Sequence, residues 1–287
     1  MKIKYCVVEI KGGFGNQLFQ YSFANYLKKL GYIVRVKNTF YKDLKVNQNL
    51  TFREEILDSK IFDINKISYL EIKVLNFLNK INTSNKFNKI FPNFVNNFFE
   101  YYKDNDISEN QQFALISHFD GYWQDINYLD TDFIKKSLSK IKEINQRMNF
   151  AANDDSFMLL VRRGDYINMG QDLDLTYYKK CFEIIYNINK NPIINIFTDD
   201  VDWVKKNKLF NKVTNIYGPE DSAKRVLELF CKMINHTHFF VGNSTFSYFA
   251  AILGKKDTSK IFVADPWFRN RPTKNLKLDG WETISND

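Results

Sequence analysis

The sequence is poor in residues that would staple or stiffen a chain. Among 287 residues there are 3 cysteines, 5 prolines, 11 glycines and 3 histidines. Cys6, Cys181 and Cys231 lie far apart, form no Cys-x-x-Cys pair and sit in apolar surroundings. A disulfide scaffold is therefore excluded, and buried free thiols of a reducing compartment are expected. The scarcity of glycine and proline excludes a collagen-like chain. No apolar run approaches the roughly 18–20 residues that span a bilayer. The apolar run before Gly12 is also too short for a signal peptide. A cytoplasmic protein is expected, with a peripheral contact at the inner face of the cell membrane as a second expectation.

Hydrophobic residues make up 44% of the chain and charged residues 26%, the balance of a globular protein rather than a disordered one. Phe, with 27 copies, dominates the aromatics and supplies volume for a large core. The 41 Lys and Arg exceed the 33 Asp and Glu, giving +8. That excess suits an anionic partner: nucleic acid, a phosphorylated small molecule or an acidic membrane. From Ile72 to Phe99 there is no acidic residue, while Lys73, Lys80, Lys86 and Lys89 stand among Phe77, Phe87, Phe91, Phe94, Phe98 and Phe99. A stretch of this kind either lies on an anionic membrane or is a solvated helix face over a core.

The chain opens with an apolar run, Lys4 to Ile10, then Lys11-Gly12-Gly13-Phe14-Gly15-Asn16-Gln17. Leu18, Phe19, Phe23, Ala24, Leu27 and Leu30 follow at helical spacing, Gly31 marks a C-cap, and Tyr32 to Val36 reads as a second strand. A strand–loop–helix–strand start favours a parallel sheet. After Ser156 strands and helices alternate clearly: strands are predicted at 157–161, 192–197, 214–217, 238–241 and 260–264, and helices at 176–188, 200–207, 221–234 and 247–253. This predicts an α/β chain of two halves, residues 1–150 and 151–287, with ligands at the carboxyl ends of the strands.

Four groups fall at that strand-to-helix edge. The glycine loop before Asn16 and Gln17 is neither a Walker A loop nor a full dinucleotide fingerprint. It serves either as a tight turn or as a close approach to an anion. Arg162-Arg163-Gly164-Asp165 follows a buried strand, where two arginines are costly unless paired or ligand-bound. Asp165 is expected to hold one and leave the other for a phosphate. Asp199 and Asp200 end the next strand, suited to ribose hydroxyls, a guanine edge or a helix cap. Asn243-Ser244-Thr245-Phe246-Ser247 offers hydroxyls and amides at a further helix start.

These groups, with Gly121-Tyr122-Trp123-Gln124, stand in the order seen in glycosyltransferase family 11, the bacterial and animal α-1,2-fucosyltransferases, which this sequence resembles from residue 5 to about 268. The resemblance implies a GT-B-type fold, two Rossmann-like domains facing a cleft, with the acceptor on the N-terminal half and the nucleotide sugar on the C-terminal half. It implies an inverting transfer of L-fucose from GDP-β-L-fucose to a terminal β-galactoside of a surface polysaccharide or lipid-linked oligosaccharide, as in O-antigen synthesis. No cofactor or metal is implied, although Asp172-Leu173-Asp174 has the form of a metal-binding triplet. By the same resemblance Arg162 and Arg163 contact the diphosphate and Asp165 orients them. Asp199 and Asp200 lie near the guanosine, and Asn243, Ser244, Thr245 and Phe246 near phosphates or base. Gly13, Gly15, Asn16 and Gln17 face the donor. Two departures stand out: Leu160 replaces the family's usual histidine two places before the first arginine, and Tyr248-Phe249 replaces a tryptophan pair. Candidates for a general base are Asp125, Asp165, Glu220, Asp221 and Glu228; His118, His236 and His238 read as packing residues. Competing readings are another GDP-sugar, an inactive nucleotide-sugar binder, and a nucleic-acid binder; the last lacks any RNP, zinc or helix-turn-helix pattern.

Overall fold

Two parallel sheets organise the chain in a computed structural model, which describes residues 4–38, 56–82, 98–104, 113–148, 155–219, 223–269 and 276–286. They belong to two units, Met1–Ser137 and Leu138–Asp287.

The first unit contains β1 (Lys4–Glu9), α1 (Phe14–Lys29), β2 (Tyr32–Lys37), β3 (Asn65–Lys66), α2 (Tyr69–Asn82), β4 (Phe99–Lys103), β5 (Ile116–Asp120) and α3 (Thr131–Leu138). The sheet order is β3-β2-β1-β5-β4, every pair parallel. Central β1 buries Cys6, Val7 and Val8 completely, as a strand covered on both faces must. Against it α1 presents Leu18, Phe19, Phe23, Ala24 and Leu27, all buried. Phe23 stacks on Trp123 at 4.4 Å and meets Phe119 edge-on at 5.2 Å. Each large apolar side chain so buried stabilises the fold by about 1.5–3 kcal/mol. Gly31 ends α1 at φ +85°, a conformation that glycine adopts without steric cost.

The second unit contains α4 (Lys142–Met148), β6 (Ser156–Val161), α5 (Gly164–Asn168), α6 (Leu175–Ile188), β7 (Ile193–Thr198), α7 (Val201–Lys206), β8 (Asn215–Tyr217), α8 (Ala223–Ile234), β9 (His238–Gly242), α9 (Thr245–Gly254), β10 (Ile261–Asp265) and β11 (Glu282–Ser285). Its parallel sheet runs β11-β10-β9-β6-β7-β8. Counted from β6, that is the 3-2-1-4-5-6 order of a dinucleotide-binding fold, and the order reverses between β6 and β9. Phe157, Leu159 and Val161 of β6 pack with Tyr177, Tyr178, Cys181 and Ile185 of α6. Burial pushes the Cys181 thiol and both tyrosine hydroxyls up, so they stay neutral.

The α/β class with parallel sheets is as expected; the boundary is not. It falls after Ser137 rather than at 150, because α4 packs on α8 and buries Ile144 in the second unit. Strands β3, β4, β5 and β11 were not expected either. Among the described residues no helix is long and apolar enough to cross a membrane.

Candidate functional site

Ligands of open α/β sheets sit outside the carboxyl ends of the strands where the order reverses. In the second unit that place lies between β6 and β9, which pair directly. It is flanked by Arg162-Arg163 after β6 and Asn243-Ser244 after β9.

Both arginines are enclosed by carboxylates from three loops. Arg162 pairs with Asp165 at 2.5 Å and with Asp199 at 2.7 Å. Arg163 pairs with Asp172 and with Asp200, each at 3.1 Å, and its guanidinium lies over the Trp203 ring at 4.1 Å. The expectation that one arginine is left unpaired is therefore corrected: each bridges two carboxylates. Four carboxylates gather here because two strand ends, β6 and β7, are hydrogen-bonded neighbours and the segment before α6 folds back beside them. The arginines differ in access, with side-chain exposures of 30% for Arg162 and 15% for Arg163. Among the described residues, Arg162 Nε and Arg163 Nη2 have no protein partner. These N–H groups remain for an incoming anion.

Asp199 is locked into the turn, since its Oδ1 also accepts from the Arg163 amide at 2.8 Å. A Cβ on Gly164 would come within 2.6 Å of Asp199 Oδ2, so any side chain there would have to push the Asp199 carboxylate aside. Asp200 does two jobs: Oδ1 caps α7 by accepting from the Trp203 amide at 3.0 Å, and Oδ2 holds Arg163. Thus Asp199 and Asp200, expected beside the guanosine, direct their carboxylates at the arginines. Asp172 and Asp174 do not form a chelating pair: Asp174 caps α6 through the Tyr177 amide at 2.8 Å, while Asp172 faces Arg163.

The β9 side begins at Gly242, whose φ of +64° turns the chain out of the sheet. Asn243 is fully buried; its amide donates to the Gln171 carbonyl at 2.7 Å, and its own carbonyl accepts from the Tyr166 hydroxyl at 3.2 Å. Asn243 is thus a brace between loops. Ser244 caps α9, and half-buried Thr245 and Phe246 form its first turn. The positive end of α9 favours an anion. Tyr166 ties the two sides together, since Arg162 also lies over its ring at 5.3 Å.

Sequence reasoning missed Gln171 and Arg269. The Gln171 amide exchanges two hydrogen bonds with the Arg269 backbone, at 2.7 and 2.8 Å, and the Arg269 guanidinium donates to the Asp172 carbonyl. Their one visible signal was position, since Arg269 follows the end of β10 as Arg162 follows β6.

In the first unit the order reverses between β1 and β5, bringing the glycine loop beside Gly121–Gln124. Gly12 has φ +79°, and a Cβ there would come within 2.8 Å of Asn16 Nδ2. Asn16 Oδ1 accepts from Gln124 Nε2 at 2.9 Å. Gly13 caps α1 with open space where its Cβ would be, and Gly15 is buried in the first turn. Gln17 is fully buried, its side chain spent on the Gly12 carbonyl and the Leu57 amide, so it braces the loop. Gln20 links the two loops by bonding the Lys11 amide and the Gly121 carbonyl.

Among the base candidates, Asp125 is buried and caps the turn at Asn127. Asp165 is paired with Arg162, and Glu228 lies exposed on α8. Glu220 and Asp221 lie outside the described residues. All three histidines are buried with partners: His118 with Glu9, His236 with Asn195, and His238 with Asp155. Among the described residues no three His, Cys, Asp or Glu side chains gather as a metal cage.

The model of glycosyl transferase family 11 matches residues 5–285. An alpha-1,2-colitosyltransferase of Escherichia coli is 25% identical over 91% of this chain and 92% of its own. The O-antigen biosynthesis glycosyltransferase WbnK of Escherichia coli is 23% identical over 95% of this chain and 98% of its own. Among solved structures, fucosyltransferase NodZ from Bradyrhizobium covers 88% of this chain and 94% of its own at 13% identity and a TM-score of 0.46. With the family pattern matched along almost its whole length, the chain belongs to glycosyl transferase family 11.

Proposed function

We propose that this glycosyltransferase moves L-fucose from GDP-β-L-fucose to the 2-hydroxyl of a terminal β-galactoside, building a bacterial surface polysaccharide such as an O-antigen. The observation that carries the reading is the arginine pair, held by four carboxylates at the point where a dinucleotide-type sheet reverses its order. A GDP-sugar presents a diphosphate, and Arg162 offers unspent N–H groups beside the positive end of α9.

The reaction is a single displacement with inversion. The bond between the sugar C1 and the β-phosphate oxygen breaks, and C1 bonds to the acceptor oxygen, whose proton passes to a base. GDP leaves as charge builds on its β-phosphate. Guanidiniums already fixed in place lower that barrier without reorganising. Asp165, Asp172, Asp199 and Asp200 supply the fixing. In this reading the positive charge comes from arginine rather than a metal ion.

A second reading has its own observation. One 25%-identical relative is named for colitose, which is fucose without its 3-hydroxyl, and Leu160 stands where the family usually has a histidine. Leu160 is buried in β6 and offers no hydrogen bond to a sugar hydroxyl. Incubation with GDP-fucose, GDP-mannose or GDP-colitose and a panel of β-galactosides separates the two. GDP release and a new α-1,2 linkage with GDP-fucose are expected; turnover confined to another donor would overturn the assignment. GDP should also raise the melting temperature equally with and without EDTA.

A further inference from the structure

We infer that the outer face of α2 is a docking surface for an anionic lipid membrane. The helix is held in one orientation about its axis. Ser68 and Glu71 form a capping box, the Glu71 amide donating to Ser68 Oγ and the Ser68 amide to Glu71 Oε2. Glu71 is tied further to the Tyr5 hydroxyl at 2.9 Å and to Arg35 at 3.4 Å, while Leu75 packs between Val7 and Phe99. These contacts turn the opposite face outward. There Tyr69, Leu70, Val74 and Phe77 are 72%, 71%, 51% and 62% exposed.

Leu70, Val74 and Phe77 follow the i, i+4, i+7 spacing of one helix stripe. Exposed Lys73 and Lys80 run beside it, and Lys73 lies over the Tyr69 ring at 4.6 Å. Glu71, the one acidic residue of the helix, belongs to the inward face. Apolar and cationic groups thus share the outer face with no carboxylate, in a chain of net charge +8. Four bulky side chains on one exposed helix face are unusual for a solvated surface, where such groups normally occur singly. Their neighbours choose the occupant: lysines beside apolar anchors match anionic headgroups over acyl chains. The helix lies along the surface, since its 14 residues span only about 21 Å.

The test is co-sedimentation of the full chain with vesicles of phosphatidylcholine and phosphatidylglycerol in equal parts, and of phosphatidylcholine alone. Binding is expected to the first, weakened by salt, and not to the second. Leu70→Ser with Phe77→Ser should lower the partition coefficient about tenfold. Lys73→Gln with Lys80→Gln should lower it about thirtyfold. All four side chains are exposed, so melting temperatures should hold. A Phe77→Trp probe should shift its emission to the blue on the anionic vesicles. Absence of binding to those vesicles, or unchanged binding by both double variants, overturns the inference. So does self-association that Leu70→Ser with Phe77→Ser abolishes without any vesicle binding, which would make a second copy the occupant. No sugar nucleotide enters the assay, so its failure is distinguishable from failure of the transferase reading.

Discussion

Arg162 and Arg163 leave β6 in succession, yet their surroundings assign them different work. Arg162 is the more open, and its loss removes positive charge from the proposed phosphate position. Arg162→Ala should therefore lower kcat/KM by about 100- to 1000-fold, with a smaller loss of stability than Arg163→Ala because Arg162 is twice as exposed and lacks the Trp203 contact. Arg163 is enclosed by Asp172, Asp200 and Trp203. Its removal strands two carboxylates, so Arg163→Ala should cost about 3 kcal/mol of stability as well as activity, measured by urea denaturation beside kinetics. Gly164→Ala offers a subtler check. Its methyl would displace Asp199, and calorimetry should find GDP binding weakened while the fold stays intact. Equal stability losses in both arginine variants would contradict the unequal roles.

At the scale of elements, caps and ligands share residues. Asp200 both starts α7 and orients Arg163, and two substitutions separate these duties. Asp200→Ser keeps a capping oxygen and loses the ion pair; Asp200→Ala loses both. Transfer rates should fall alike, while Asp200→Ala should be the less stable by about 1 kcal/mol. A helix start that doubles as an arginine holder was only half visible in the sequence. Asp199-Asp200 after an apolar run announces a cap, but their direction toward Arg162 and Arg163 depends on β6 and β7 being neighbours. The elements themselves were more legible. Strands β6, β7 and β9 are apolar runs buried on both faces, whereas β11 buries little besides Ile284 and has only β10 to define it.

The whole molecule should be acid-labile. Burial alone would raise Asp120, but hydrogen bonds from Lys11 and Tyr101 and the Lys11 charge outweigh it and hold the carboxyl below its ordinary value. Asp130 is lowered similarly, with Lys29 and the Phe133 amide outweighing burial. Burial lowers His236, which stays neutral in the fold while the unfolded chain takes up a proton below about pH 6.5. In all three cases the unfolded state binds more protons, so stability falls as pH falls. The loss begins below about pH 6.5 through His236 and deepens below about pH 4 through the aspartates. Asp104, raised by burial against the opposing Trp123 and Tyr122 amides, acts in the opposite sense, its contribution fading as pH rises. Denaturant titrations across that range should show a declining midpoint; a flat profile would mean these groups are not perturbed by folding.

The sequence by itself determined the alternation of strands and helices in the second half and the placing of its polar motifs at strand ends. Both follow from local periodicity and from short loops that put Arg162, Asp199 and Asn243 just past buried strands. Tertiary structure decided the strand order, the unit boundary after Ser137, and the fate of each side chain. Gln17 and Asn243 became braces because their neighbours exclude water from them. Asp172 and Arg269 joined the site because distant segments fold beside one another, which no spacing along the chain encodes. The scarcity of cysteine and proline left the chain without covalent staples or many rigid turns. Apolar packing, caps and ion pairs therefore carry its specificity, and their partners exist only once the sheets are built.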